Sequence, residues 1–97
     1  DRPIALLDEP FAALDALNRH RMQDLSAEML AGKTVLHVTH DPLEALRLAD
    51  RIIMLEGRPA RLREEPVPAT PTPRAAEDPA VAARHGELLH QLLNPPA

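Results

Sequence analysis

Four apolar residues, Ile4-Ala5-Leu6-Leu7, run directly into two adjacent carboxylates, Asp8 and Glu9, and Pro10 stops the run. No other stretch constrains the fold as tightly. A continuous apolar segment this short, with proline at either end, predicts a strand buried on both faces. Proline cannot donate to the ladder of a central strand, so the strand ends by Glu9. The two acids then stand at the edge of a sheet. There one carboxylate can hold a magnesium ion, and its neighbour, pointing to the other face, can orient a water. The plain alternative is a pair of solvated acids at a strand end.

Beyond Pro10 the chain alternates helix and strand. Asp15 is a candidate N-cap for a helix from Ala16 to about Leu30, with Gly32 as its stop. Leu17, Met22, Leu25 and Met29 recur near helical spacing and predict one apolar face. Thr34–Thr39 is rich in β-branched residues and predicts a second strand. In Asp41-Pro42-Leu43-Glu44, Asp41 caps the next helix, Pro42 takes its first position and Glu44 closes a capping box; the helix ends near Ala49 or Asp50. Arg51–Glu56 predicts a third strand, and Gly57-Arg58-Pro59 a turn into a last one near Ala60–Arg63. This alternation is the pattern of a doubly wound α/β sheet.

After Glu65 the character changes. Pro66, Pro68, Pro71, Pro73 and Pro79 break up a stretch poor in apolar residues, which reads as an extended tether, with a peptide ligand for a recognition domain as the alternative. Beyond it Val81, His85, Leu88, Leu89 and Leu92 share one face of a short amphipathic helix that Asn94-Pro95-Pro96 ends; it is expected to fold back on the domain or to join a dimer contact. The divisions are 1–64 for the sheet-and-helix part, 65–78 for the Pro-rich linker and 79–97 for the final helix and tail.

Composition excludes several classes. With 97 residues, no cysteine and a formal charge of −4, the chain has neither a disulfide framework nor the basic stripe of a nucleic-acid surface. No apolar run reaches the length that spans a bilayer. Opening on Asp1 and entering a strand almost at once, it reads as a piece of something longer.

Several short motifs agree in order and spacing. Leu7-Asp8-Glu9-Pro10 resembles the Walker B motif with its following catalytic glutamate, Ala13-Leu14-Asp15 resembles the D-loop, and His40 in Val38-Thr39-His40-Asp41 resembles the H-loop histidine. Together they resemble the ABC ATPase family over residues 1 to about 63, and Glu44-Ala45-Leu46 and Ala49-Asp50-Arg51-Ile52 continue the likeness. Gly57-Arg58-Pro59 is similar to the subgroup that energises nitrate, sulfonate, taurine and pyrimidine-precursor importers. The resemblance implies an α/β fold, the C-terminal portion of a P-loop NTPase domain. It also implies a transport-coupled ATPase using ATP and Mg²⁺: Asp8 binds the metal, Glu9 polarises the attacking water, His40 contacts the γ-phosphate, and Asp15 lies between two facing ATPase domains. The implied partners are a second ATPase subunit and transmembrane permease subunits, at the cytoplasmic face of the inner membrane. A neutral imidazole suits His40's role, since it can donate one hydrogen bond and accept another.

The 97 residues contain no glycine-rich phosphate loop, no Leu-Ser-Gly-Gly-Gln signature and no Q-loop glutamine, so the segment alone is expected not to hydrolyse ATP. The D-loop begins Ala12-Ala13, where the family often has Ser or Gly. Two rival readings are a non-transport ABC-type ATPase and a non-enzymatic interaction module built on the Pro-rich tail and last helix. His37 and His40 do not form a metal pair, because an odd separation on a strand puts them on opposite faces. His37 is read as a core or sheet-face residue, and His85 and His90 as solvated or packing residues.

Overall fold

The computed structural model describes residues 4–56 and 59–94. Its elements are β1 (Ile4–Asp8), α1 (Ala16–Met29), β2 (Thr34–Val38), α2 (Pro42–Leu48), β3 (Ile52–Glu56), β4 (Arg61–Glu65) and α3 (Pro79–Leu93). β1 and β2 pair in parallel, from Ile4 opposite Thr34 to Asp8 opposite Val38, with α1 as the crossover. β3 and β4 form an antiparallel hairpin, Ile52 opposite Glu65 and Leu55 opposite Leu62. The class is α/β, but among the described residues the strands form two separate two-stranded sheets, not one doubly wound sheet. Of the turn expected at Gly57-Arg58-Pro59, Gly57 and Arg58 lie outside the described residues, as do Pro95 and Pro96. None of the described helices is long and apolar enough to cross a membrane.

Each of the three helices starts on an aspartate. Asp15 accepts from the Asn18 N–H at 2.8 Å, Asp41 from those of Leu43 and Glu44 at 3.0 and 3.4 Å, and Asp78 from that of Ala80 at 2.8 Å. These side chains satisfy N–H groups that have no partner inside the helix. Pro42 and Pro79 follow their caps at a position where a missing N–H costs nothing. Past the end of α1, Gly32 takes φ of 80°, a left-handed turn that side-chain-bearing residues resist.

Three expectations change. β1 is not covered on both faces: Leu6 is exposed, as are Leu36 and Val38 on β2, while Ala5, Leu7, Val35 and His37 on the other face are half-buried. The apolar face read on α1 points outward, with Leu17, Met22, Leu25 and Met29 all exposed and Gln23 the residue it buries. The reason lies in α2, which presents buried Glu44 and Arg47 and so needs polar partners rather than leucines. The capping box is not formed either. Thr39 Oγ1 takes the Asp41 N–H, and the Glu44 carboxylate turns to His37 and Gln23.

The apolar core lies in the C-terminal part. Leu46 of α2, Ile52 of β3 and Val81 and Leu88 of α3 are buried together, with Leu43, Met54 and Val67 packed against them. α3 thus folds back on α2, along a narrower face than its periodicity suggests, since Leu89 and Leu92 stay exposed. Leu88→Ala should therefore destabilise the protein by about 2–5 kcal/mol through the cavity it leaves. Leu92→Ala, at a site 48% exposed, should stay within about 0.5 kcal/mol. Equal losses in thermal melts would contradict this packing.

Residues 66–78 are no free tether. Pro68 and Arg74 are buried, and the Arg74 N–H donates to the Arg47 carbonyl at 2.8 Å. Glu65, also buried, ties β4 to α3 through Arg84 at 3.0 Å and takes Arg63 at 2.8 Å. At the surface, the Arg51 guanidinium bonds Glu64 and holds its carboxyl below the usual carboxylate range. A lowered folded-state value adds stability at neutral pH that is lost as pH falls through it. Full exposure keeps that contribution small.

Candidate functional site

The ends of β1 and β2 lie side by side because the strands are parallel and in register, so the residues just past them meet. Glu9 follows β1, and its N–H donates to the Val38 carbonyl at 2.8 Å. Its φ is 49°, a left-handed conformation that a non-glycine residue adopts at a cost of order 1–3 kcal/mol. That turn lets a Glu9 carboxylate oxygen (Oε1) accept the His40 backbone N–H at 2.8 Å and stand 3.5 Å from His40 Nε2. The His40 side chain is 96% exposed and the Glu9 side chain half-buried. An acid and an imidazole from two strands, 31 positions apart in the chain, thus share one open edge.

Asp8 is exposed at the end of β1, and its carboxylate has no hydrogen-bond or ion-pair partner among the described residues. Among those residues no three His, Cys, Asp or Glu side chains gather to ligate a metal. Asp8 offers a single carboxylate of hard oxygen donors, which fits Mg²⁺: that ion takes one or two carboxylates together with waters and substrate phosphates. Asp15 is exposed, and both of its oxygens are engaged by Asn18, through the backbone N–H at 2.8 Å and the side-chain amide at 3.0 Å. The structure therefore joins Glu9 to His40, leaves Asp8 beside Glu9 in the chain, and uses Asp15 as a helix cap at the far end of the 9–15 connection.

That connection is held from α1 by Arg19, whose guanidinium donates to the Leu14 carbonyl at 2.8 Å and the Phe11 carbonyl at 3.4 Å. Phe11 is buried, with its ring centroid 5.9 Å from that of His37. A buried polar network continues below. His37 Nε2 is 2.5 Å from Glu44 Oε2, and Gln23 bridges Glu44 at 3.3 Å and Arg47 at 2.5 Å. Arg47 reaches Asp24 at 2.5 Å and the Arg74 carbonyl at 2.9 Å. Every buried side-chain nitrogen and oxygen among the described residues has a partner. A cleft of about 180 Å³ opens between α1 and α2 above this network, lined by Arg19, His20, Gln23, Asp41 and Glu44.

Sequence reasoning missed Arg19, Gln23, Glu44 and Arg47 as a group. A signal existed: Arg19 and Gln23 stand one helical turn apart, a polar pair on the side that turns inward, which the Leu and Met residues overshadowed.

No family model matches the chain. Among curated proteins it is 47% identical over 91 residues to an aliphatic sulfonates import ATP-binding protein of Nocardia farcinica, covering 92% of this chain and 36% of that protein. Its counterpart in Granulibacter bethesdensis is 50% identical over 88 residues, 89% of this chain and 36% of that protein. A protein of Haemophilus influenzae named an uncharacterized ABC transporter ATP-binding protein is 61% identical over 54 residues, 56% of this chain and 22% of its own length. The chain spans between 22% and 36% of the length of these three relatives. Over that part it is a relative of ABC transporter ATP-binding proteins, and for the two sulfonate-import proteins the likeness runs through most of the chain, including much of the segment beyond β4.

Proposed function

We propose that this chain is the C-terminal part of the ATP-hydrolysing subunit of an importer that takes up sulfonates or chemically similar anions. The observation that carries the reading is the Glu9–His40 pair, joined at 2.8 Å across the ends of two parallel strands. Glu9 polarises the attacking water, and His40, with a donor and an acceptor nitrogen, reads the γ-phosphate. Asp8 is the carboxylate that would hold Mg²⁺; once bound, the ion neutralises phosphate charge. Asp15 stays at the surface, where a second ATPase subunit faces it.

The subunit works as a dimer beneath transmembrane permease subunits, on the cytoplasmic face of the inner membrane. The remainder of the subunit supplies the phosphate loop and covers the exposed apolar faces of β1, β2 and the β3–β4 hairpin, where Leu6, Leu36, Ile53, Leu55 and Leu62 stand open. Exposed apolar groups on this scale mark surfaces made to be covered. Residues 1–97 alone are inactive on this reading. The test is binding of a labelled ATP analogue in the presence of Mg²⁺. The whole subunit should bind at micromolar levels and turn ATP over, whereas residues 1–97 alone should do neither. ATP turnover by the short segment, or none by the whole subunit, would refute the assignment.

A further inference from the structure

We infer that Glu44 is a positioning residue for His40: its carboxylate and the His37 imidazole clasp shut the loop that carries His40 from β2 into α2. The inference rests on the reading of His40 as the group that meets the γ-phosphate.

His40 is held by little of its own. Its ring is open to solvent, and its contacts at this edge are the backbone N–H to Glu9 and the ring nitrogen 3.5 Å from the same oxygen. Where the ring stands is therefore decided by the backbone on either side of it. Upstream, His37 is the last inward-facing residue of β2. Downstream, Glu44 lies in the first turn of α2 and is 4% exposed. Seven positions apart, they approach to 2.5 Å, closing the loop from beneath while His40 projects from its upper side.

Both halves of the clasp are backed. Glu44 Oε1 accepts from Gln23 of α1, and the Phe11 ring lies against His37. Between them Thr39 Oγ1 accepts the Asp41 N–H, and Asp41 caps α2. A buried carboxylate with two polar partners resists displacement, because any shift leaves charge and donors unsatisfied in a low-dielectric setting. Glu44 could have closed the cap of its own helix. It reaches across to β2 instead, and that contact holds the two ends of the loop together.

In the whole subunit Glu44→Ala should lower kcat for ATP hydrolysis about 10- to 100-fold, the range found when outer partners of metal-bound histidines are removed. KM for ATP should stay within about twofold, since the lost interaction acts on the reacting geometry and not on nucleotide binding. Glu44→Gln, which keeps an acceptor for Gln23 and a polar group toward His37, should retain most of the rate. His37→Asn should reproduce the loss from the other side of the clasp, and it decides the matter should Glu44→Ala not fold. Leu88→Ala is the control for stability alone: it should melt lower yet keep wild-type kcat at a temperature where it is folded. Wild-type kcat in His37→Asn and in a folded Glu44→Ala, with His40→Ala inactive, would overturn the clasp and leave the underlying reading standing. Unchanged turnover in His40→Ala would remove that reading and the clasp with it.

Discussion

Arg74→Ala is expected to lower folding stability by roughly 3 kcal/mol, because it leaves three backbone carbonyls without their charged donor. Arg74 is 5% exposed, and its Nη1 donates to the carbonyls of Leu46 and Ala49, each at 2.7 Å. Its Nε donates to the Thr70 carbonyl at 2.9 Å. The guanidinium thereby caps the last turn of α2, where carbonyls lack helical partners and the helix dipole places partial negative charge. Each such charge-assisted bond is worth about 1.5–3 kcal/mol, and the three are not additive because they share one group. Removing the side chain strips a donor from three carbonyls and leaves residues 66–78 tied to α2 by the backbone of residue 74 and by Val67. Arg74→Lys should recover only part of the loss, since an ammonium cannot present the planar fork that serves three acceptors. Denaturant melts of the whole subunit give the answer; a loss below about 1 kcal/mol would show that the strap is held by its prolines and Val67 instead.

Glu9→Gln is expected to cut ATP turnover by about 10²- to 10⁴-fold, the contribution of a positioned general base, while nucleotide binding persists. The amide is nearly the same shape and retains an oxygen for the His40 N–H, so the 2.8 Å contact and the strand ends should survive the exchange. What disappears is the capacity to take a proton and to polarise a water strongly. The left-handed backbone at Glu9 supports the same view, because strain of order 1–3 kcal/mol persists where the surroundings impose it, often at working sites. Turnover at the wild-type rate by the glutamine variant would remove Glu9 from its role.

Local signals carried much of the structure. The caps at Asp15 and Asp41, the strand at 4–8 and the glycine turn at Gly32 are each written in a few neighbouring residues, and the observed elements begin and end within about two residues of those readings. Facing is another matter, because it depends on what lies opposite. The apolar residues of α1 pointed to one side by periodicity, but α2 presents Glu44 and Arg47 to it, so Gln23 went inward and the leucines outward. Arg74 looked like one residue of a polar linker. Its burial comes from α2 ending where the chain returns, and no local pattern encodes that. The candidate site divides in the same way. The motif order gave Asp8, Glu9, Asp15 and His40, whereas the Glu9–His40 contact needed the parallel register of β1 and β2, and the Glu44–His37 clasp needed the side-chain geometry.

On the proposed reading His40 stands where the γ-phosphate arrives, beside Glu9. The most direct measurement tracks the His40 ring by NMR in the whole Glu9→Gln subunit, with its imidazole resonances assigned through His40→Ala. Adding Mg²⁺ with a non-hydrolysable ATP analogue should shift the His40 resonances, and Mg²⁺ with ADP should leave them near their nucleotide-free positions. Identical shifts with both nucleotides, or none with either while both bind, would contradict that placement of His40.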